Sequence, residues 1–228
     1  MNADAPPSVA DPLALLQEGA ADFGATLPQE ALARFRTYLQ ELQTWNARVN
    51  LTGLKSERDI IIRGFLDSLA VLPWLENASA LVDLGSGAGF PGLVLKLARP
   101  ELVLTLVESR GKKATFLEYL VALWSLPGVE VVQTYLTPKS ARKWGPRFGA
   151  ATSRATFALK RFLALAGPLL LPRGQALALK GPKLSAPELD AARKCLAGLG
   201  LEALELHEYH LPISGEARLV VRATKSDA

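Results

Sequence analysis

The sequence predicts an α/β protein with a mostly parallel, doubly wound sheet of seven strands, helices on both faces and a helical extension before the first strand. From residue 80 onward, apolar segments of strand length alternate with segments of helical periodicity, which is typical of parallel sheets. The last two strand segments are joined by Pro212–Gly215, which indicates a closing hairpin. The 228 residues, of which 49% are hydrophobic, suffice for one α/β domain of ordinary size with an added extension.

The predicted domain boundaries are a disordered start over 1–11, a helical extension over 12–78 and an α/β domain over 79–226. In the extension, one helix begins near residue 12, and a second begins at Pro28 and runs to about Trp45. A third helix follows Ser56, whose side chain is a good N-cap. Since no Gly/Ser linker precedes the first strand, we expect the extension to pack on the α/β domain.

In the α/β domain we expect strands over 80–84, 102–108, 129–133, 149–153, 175–181, 201–211 and 216–224. Helices are expected after the first strand and over 112–124, 157–171 and 187–199. The segment 135–148 is basic and shows no regular pattern.

A glycine-rich turn, DLGSGAGFPG over residues 83–92, joins the first strand to the following helix. Such a turn lets backbone approach a ligand closely and points helix N–H groups at it. Read from Gly87, the spacing Gly87-x-Gly89-x-x-Gly92 matches the dinucleotide-binding fingerprint. Read from Asp83, the pattern acid-x-Gly-x-Gly-x-Gly is that of methyltransferases that use S-adenosylmethionine (SAM). We favour SAM because Gly85 closes the strand, which places Asp83 where a carboxylate can face a cationic cofactor.

Both of these ligands contain ribose, and an acid at the end of the next strand is expected to bind its hydroxyls. Glu108 is that acid. Gly85, Glu108, Arg154 and Lys180 all follow predicted parallel strands, and ligands of such sheets bind at the carboxyl ends of the strands.

Composition narrows the class of protein further. Net charge is +4 and the pI is about 9.3, which permits an anionic partner without requiring one. One cysteine, Cys195, and two histidines, His207 and His210, give neither a disulfide framework nor a metal site. The start has no basic region typical of a signal peptide, and no stretch has the ~20 apolar residues of a membrane span. We therefore expect a cytoplasmic protein without a membrane partner.

Beyond the glycine turn, several motifs in one order resemble the RsmG (GidB) family, SAM-dependent methyltransferases that modify a guanine N7 of small-subunit ribosomal RNA. The most specific is the turn itself with its Phe90-Pro91-Gly92 ending. The others are Trp45-Asn46 with Asn50-Leu51-Thr52, Phe65-Leu66-Asp67-Ser68-Leu69, Arg99-Pro100-Glu101, Ser153-Arg154-Ala155, Leu179-Lys180-Gly181 and Ser214-Gly215-Glu216-Ala217-Arg218-Leu219-Val220-Val221.

The resemblance implies a Rossmann-like SAM-methyltransferase fold, SAM as cofactor, and 16S rRNA or the small ribosomal subunit as partner of a monomeric enzyme. It also implies a set of SAM contacts, carried over position by position: Gly85, Phe90, Glu108, Ser109, Arg110, Leu136, Thr137 and Arg154. Neither a catalytic residue nor a metal site is assigned. Lys180 and Arg218 are candidate contacts to RNA phosphate or base.

The sequence departs from the family pattern at three positions. The family usually has an acid at Thr137, histidine at Gly64 and commonly aspartate at Gly149. Because Thr137 replaces an acid, its side-chain contact is expected to differ from that of the family, and only a backbone contact from this position to the adenine is expected to remain unchanged.

Four functions remain open from the sequence. The first is an rRNA guanine-N7 methyltransferase, and the second is a SAM methyltransferase with another substrate. The third is an NAD-dependent oxidoreductase, which the shortage of histidine disfavours. The fourth is a non-enzymatic RNA-binding or assembly protein derived from such an enzyme.

Overall fold

Seven strands form one sheet in the computed structural model, which describes residues 11–227. Their order across the sheet is β3-β2-β1-β4-β5-β7-β6. Strands β1 to β5 are parallel to one another, whereas β7 runs antiparallel between β5 and β6. The bounds are Ala80–Leu84 (β1), Val103–Glu108 (β2), Val129–Gln133 (β3), Phe148–Arg154 (β4), Leu170–Lys180 (β5), Glu205–His210 (β6) and Ala217–Thr224 (β7). The predicted seven-stranded, mostly parallel sheet and its closing hairpin are confirmed.

Helices cover both faces of this sheet and precede it as an extension. The α-helices are Pro12–Ala21 (α1), Gln29–Val49 (α2), 57–69 (α3), Gly92–Ala98 (α4), Gly111–Leu123 (α5), Pro138–Trp144 (α6), Leu159–Ala166 (α7), Ala186–Arg193 (α8) and Leu196–Leu199 (α9). Short 3₁₀ turns lie over Leu72–Leu75 and Gly167–Leu169.

Several predicted helix boundaries were wrong. Helix α2 continues past Trp45 to Val49. Asn50, whose backbone is left-handed (φ 52°), is its C-cap. The helix expected to reach residue 171 ends at Ala166, because Pro168 supplies no N–H to a continuing helix. The segment 187–199 forms two helices rather than one.

The segment 135–148, predicted to be irregular, contains helix α6. Thr137 is its N-cap: the hydroxyl accepts from the Ser140 N–H at 3.1 Å, and the Ser140 hydroxyl accepts from the Thr137 N–H at 2.9 Å. This reciprocal capping box, together with Pro138 at the first helical position, starts a helix in a stretch without an apolar period.

Helix α3 is α-helical at both ends, over Glu57–Asp59 and Asp67–Leu69, and π-helical over Ile60–Leu66. The predicted N-cap Ser56 accepts from the Asp59 N–H at 3.0 Å. Wider π-helical turns are frequent at functional sites. Arg63 of the π-helical stretch and Asp67 just after it both line a cavity together with Arg154 and Lys180, which end β4 and β5.

The extension packs directly onto the glycine turn. Tyr38 of α2 is fully buried and donates its hydroxyl to the Ala88 carbonyl at 2.5 Å. The Tyr38 ring lies 5.8 Å from the Phe90 ring and 5.2 Å from the Phe65 ring, within the range of favourable aromatic pairs. One hydrophobic cluster therefore includes the extension, the turn and one face of the sheet.

The predicted disordered start, residues 1–11, lies outside the described residues except for Asp11. That residue caps α1 through Leu13 N–H and pairs with Arg36 at 2.8 Å. Within residues 11–227, no helix combines the length and the apolar character needed to cross a membrane.

Candidate functional site

The glycine turn is fixed to the sheet through its backbone. The N–H groups of Gly85 and Ser86 donate to the Val107 carbonyl at 2.8 and 3.1 Å, which ties the turn to β2. Gly85 has φ +74°, and a Cβ there would lie 2.4 Å from Cγ2 of Thr156. Only glycine fits this position without displacing the loop after β4.

Asp83 does not face a cavity, which corrects the expectation that its carboxylate meets a cofactor. The side chain is fully buried behind the turn, where Oδ2 accepts from the Gly92 N–H at 3.1 Å and Oδ1 accepts from the Thr152 hydroxyl at 3.4 Å. Burial raises the pKa of Asp83 to about 6, although the Gly92 N–H opposes that shift. Asp83 therefore fastens the start of α4 to the end of β1.

A cavity of about 480 Å³, the turn cavity, opens at the carboxyl ends of β1, β2 and β4. This volume lies in the range of roughly 300–1,000 Å³ typical of small-molecule sites. Its walls are Leu84, Gly85, Gly87, Val107, Glu108, Ser109, Arg110, Lys113, Thr134, Tyr135, Leu136, Ala155, Thr156, Phe157, Arg161 and Leu165. Five of the eight predicted SAM contacts are thus brought together: Gly85, Glu108, Ser109, Arg110 and Leu136.

Glu108 connects the turn to the segment after β2. Its Oε2 accepts from the Gly87 N–H and its Oε1 from the Arg110 N–H, both at 2.8 Å. An ionised carboxylate has about four acceptor positions, so two remain for a ligand hydroxyl. The two backbone bonds fix the carboxylate at the cavity wall before any ligand arrives.

The remaining three predicted contacts lie outside the turn cavity. Phe90 is buried in the aromatic cluster with Tyr38 and Phe65. Thr137 caps α6, next to the wall residue Leu136. Arg154 places its guanidinium 4.6 Å above the Phe90 ring and lines a second cavity.

This second cavity, the arginine cavity, has a volume of about 440 Å³. It is lined by Thr52, Gly53, Leu54, Arg63, Asp67, Arg154, Ala155, Leu179, Lys180, Gly181 and Arg218. Ala155 lies on the wall of both cavities, so the two are neighbours. The candidate RNA contacts Lys180 and Arg218 lie here together with Arg154.

The carboxylate of Asp67 organises the arginine cavity. It is nearly buried and lies 3.4 Å from Arg154 and 3.7 Å from Arg218. The Tyr209 hydroxyl donates to it at 2.6 Å. Burial and the Asp67 charge raise the pKa of Tyr209, so that hydroxyl keeps its proton and remains a donor.

The other cations of the arginine cavity are paired as well. Arg63 and Arg218 both contact Glu216, at 2.7 and 2.8 Å, and Lys180 contacts Glu188 at 3.0 Å. These pairs place the four cationic groups in fixed positions around one opening.

Sequence reasoning missed Lys113 as a wall residue of the turn cavity. Its ammonium donates to the Leu51 carbonyl at 2.9 Å, and burial lowers the pKa of Lys113. The contact connects the turn cavity to the loop at Thr52–Leu54, which lines the arginine cavity. The available signal was its position in the first turn of the helix after β2.

Three further wall residues that the sequence did not single out form a cluster at the cavity mouth. The guanidinium of Arg161 lies 5.2 Å from the Tyr135 ring centre and 5.3 Å from that of Phe157. It also donates to the Tyr135 hydroxyl at 2.5 Å. Because Arg161 is in α7 and Tyr135 follows β3, no local sequence pattern connects them.

Each of the three departures from the family pattern has a local structural role. A Cβ at Gly64 would lie 3.0 Å from Cζ of Phe90, so glycine lets the Phe90 ring pack against α3. A Cβ at Gly149 would lie 3.1 Å from the Ala78 backbone. Thr137 caps α6 with its hydroxyl, a role that an acid can also fill.

Comparison with known proteins gives concordant results. Residues 31–217 match the family model GidB, described as rRNA small subunit methyltransferase G. Relatives of this chain include proteins named ribosomal RNA small subunit methyltransferase G. The protein from Geobacter sulfurreducens is 36% identical over 91% of this chain and 94% of its own length. Those from Roseiflexus castenholzii and Myxococcus xanthus are 40% and 38% identical, over 85% and 90% of this chain and 83% and 93% of their own lengths.

Two solved structures that share the fold at low sequence identity are described as O-methyltransferases. An O-methyltransferase from Bacillus cereus, in complex with SAH, aligns with a TM-score of 0.58 at 16% identity, over 83% of this chain and 91% of that one. A putative O-methyltransferase from Klebsiella pneumoniae gives 0.56 at 14% identity, over 83% and 90%. At this identity the likeness shows the fold alone.

Proposed function

This chain belongs to the GidB family of ribosomal RNA small subunit methyltransferases, and on that premise we propose that it methylates N7 of a guanine in 16S ribosomal RNA with SAM as the methyl donor. The observation that supports this most directly is the adjacency of two cavities at Ala155. A methyltransferase needs a cofactor site and an acceptor site in contact, and the Rossmann-like methyltransferase fold places both at the carboxyl ends of the strands.

The turn cavity suits SAM in its volume and in the chemistry of its walls. Backbone at Gly85 can approach a ligand because no side chain intervenes, and Glu108 keeps acceptor capacity for ribose hydroxyls. Val107, Leu136 and Leu165 supply apolar wall for a base. When bound, SAM supplies an electrophilic methyl group. We propose the five wall residues Gly85, Glu108, Ser109, Arg110 and Leu136 as its contacts.

For Phe90, Thr137 and Arg154, the proposal is narrower. Phe90 shapes the glycine turn and Thr137 caps α6, so both act on SAM indirectly. The backbone of residues 136–137 contacts the adenine. We propose that Arg154, which shares the arginine cavity with Lys180 and Arg218, contacts the RNA.

The arginine cavity is proposed to hold the target guanine. N7 of guanine has a free lone pair, so no proton has to leave this base before the methyl group is transferred. The residues therefore act by positioning rather than by general-base catalysis. This agrees with the cavity chemistry: the Asp67 carboxylate on the wall of the arginine cavity is already engaged by Tyr209 and two arginines. Among residues 11–227, no histidine or cysteine lines either cavity.

Lys180 has two fixed contacts, to the Phe157 carbonyl at 2.8 Å and to Glu188 at 3.0 Å. It is a defined donor at the rim of the arginine cavity rather than a mobile surface lysine. We propose that it and Arg218 contact phosphate or base of the RNA. Action on ribosomal RNA also implies a cytoplasmic protein. The monomeric state stays a prediction.

The test is a methyl-transfer assay with SAM carrying a labelled methyl group. The acceptors are naked 16S rRNA and small ribosomal subunits, both from cells that lack the modification, and the product nucleosides are identified by mass spectrometry. We expect N7-methylguanosine at one position, with at least one of the two acceptors. Label on another atom or on a protein would contradict the substrate, and SAM binding without transfer would favour the non-enzymatic alternative.

A further inference from the structure

The cluster of Tyr135, Phe157 and Arg161 at the mouth of the turn cavity has features that the cofactor site does not require. Tyr135 is 64% exposed, the highest value among the exposed large hydrophobic side chains of the described chain. A single exposed aromatic is ordinary. This one, however, is held against a guanidinium at 5.2 Å and lies on the rim of a cavity.

Arg161 is fixed in position but keeps most of its donors. It lies between two aromatic rings and uses one N–H on the Tyr135 hydroxyl. Within residues 11–227 it pairs with no carboxylate, in contrast to every cation of the arginine cavity. A guanidinium has five donors, so several still point to solvent.

Arg161 lies in the N-terminal turn of its helix. Lys160 and Arg161 occupy the first turn of α7, whose own sequence has no acidic residue there. The Glu188 carboxylate of α8 accepts the Leu159 N–H at 2.8 Å, so this acid offsets part of the positive charge at the helix N-terminus. Glu188 also contacts Lys180 at 3.0 Å but forms no ion pair with Arg161 within residues 11–227, which leaves Arg161 available to an anionic ligand.

The path between the two cavities leads directly to this cluster. Ala155 is on the shared wall, and Phe157 is two residues further, at most ~7 Å along the chain. Phe157 and Arg161 therefore lie close to the arginine cavity, where a nucleotide next to the target base could reach them.

We propose that Tyr135 and Arg161 bind a nucleotide next to the target guanine, with its base stacked on the Tyr135 ring and its phosphate on the Arg161 guanidinium. This inference rests on the proposed function. Aromatic rings and arginine planes are the usual platforms for unstacked RNA bases, and phosphate suits the guanidinium fork. The alternative occupant, the cofactor's own base, is an outcome of the test.

The experiment compares Tyr135→Leu, Arg161→Gln and the double variant. Arg147→Gln serves as the matched control, because Arg147 also lies against two rings, those of Trp144 and Phe148, at 4.8 and 5.0 Å. It precedes β4, at the opposite end of that strand, which is about 23 Å long. For each protein, SAM affinity is measured by calorimetry, and KM for the RNA and kcat are measured in the methyl-transfer assay.

We expect Tyr135→Leu to raise KM for the RNA by roughly 5- to 150-fold, the effect of losing one stacked base. Arg161→Gln should also raise KM for the RNA, because it removes the contact to phosphate. SAM affinity should stay within a factor of two of the native value, as should every parameter of Arg147→Gln. In the double variant, KM for the RNA should rise by less than the product of the two single increases, because both residues bind one nucleotide.

A weaker SAM affinity with unchanged KM for RNA would overturn the proposal and assign the cluster to the cofactor. Unchanged values for both ligands would also overturn it. Failure of the proposed function is distinguishable, because then the native protein itself transfers no methyl group to ribosomal RNA.

Discussion

The turn cavity and the arginine cavity share Ala155 but differ in how their charges are arranged. In the arginine cavity, Arg63, Arg154, Lys180 and Arg218 are all paired with acids, chiefly Asp67 and Glu216. In the turn cavity, by contrast, Arg110, Lys113 and Arg161 form no ion pair with a carboxylate in the described part of the chain.

This difference in charge pairing suits the two cavities to two different ligands. Paired cations keep their geometry without a ligand, which suits the positioning of a base for attack. Unpaired cations retain their full charge and suit anionic groups that bind and leave with each turnover. A cation of the arginine cavity is therefore expected to contribute to stability as well as to RNA binding, and a cation of the turn cavity to binding alone.

The largest expected effect comes from removing the common acid of the arginine cavity. Asp67→Ala leaves Arg154 without its carboxylate and Tyr209 without its acceptor, and it leaves Arg218 with Glu216 as its remaining partner. We expect the free energy of unfolding to fall by about 3 kcal/mol, as for other broken buried pairs. Chemical denaturation measures it, with Arg161→Gln of the turn cavity as the comparison.

Arg161→Gln is expected to change the free energy of unfolding by no more than ~0.5 kcal/mol, as surface substitutions usually do. If Asp67→Ala and Arg161→Gln lowered the free energy of unfolding equally, the cavities would not differ in whether their cations are paired.

The next largest effect concerns the acid of the turn cavity. In Glu108→Gln, one carboxylate oxygen becomes an amide nitrogen, which cannot accept the N–H of Gly87 or of Arg110. Since hydrogen bonds to charged groups contribute ~1.5–3 kcal/mol, SAM affinity should fall roughly 10- to 100-fold. Calorimetry measures the dissociation constant, and Glu118→Gln, an exposed position on α5, is the control. An unchanged dissociation constant in Glu108→Gln would place the cofactor elsewhere.

The smallest effect is a pH dependence from Asp83, which lies behind the turn in neither cavity. Its pKa of about 6 in the folded chain exceeds that of an unfolded aspartate, ~3.9, so the folded state holds the proton more tightly. Its contribution to stability is therefore present at low pH and is lost as pH rises through about 6.

The free energy of unfolding of the native chain, relative to Asp83→Asn, should accordingly fall by about 1 kcal/mol between roughly pH 5 and pH 8. Denaturation at a series of pH values checks this. A difference that rises with pH would mean that the native pKa is lowered, and that Asp83 pairs with a cation.

The sequence predicted the sheet, the hairpin and the turn cavity because their signals are local. Strand ends of a parallel sheet meet at one edge, so Gly85 and Glu108 were expected to lie together, and they do. Helix α6 was missed because its start depends on the capping pair Thr137 and Ser140 rather than on apolar periodicity.

The role of Asp83 was misjudged for a different reason. The end of a strand places the backbone at the ligand edge, but the alternation of side chains decides which face a residue enters. Contacts between distant segments were also beyond the sequence: Asp67 meets Tyr209 across 142 residues, and Lys113 meets Leu51 across 62. Such pairs are set by packing of whole elements, which no spacing rule encodes.

The measurement that tests the division between the two cavities most directly compares Gly85→Ala with Lys180→Gln. SAM dissociation constants come from calorimetry and KM for the RNA from the transfer assay. Gly24→Ala, at the same left-handed backbone (φ +69°) but with open space around its Cβ, is the control for backbone strain. We predict that Gly85→Ala weakens SAM binding at least ~10-fold through that strain and the Thr156 clash, and leaves KM for RNA unchanged. Lys180→Gln should raise KM for the RNA and leave the SAM dissociation constant unchanged. Equal effects of both variants on both ligands would contradict the assignment of one cavity to the cofactor and the other to the RNA.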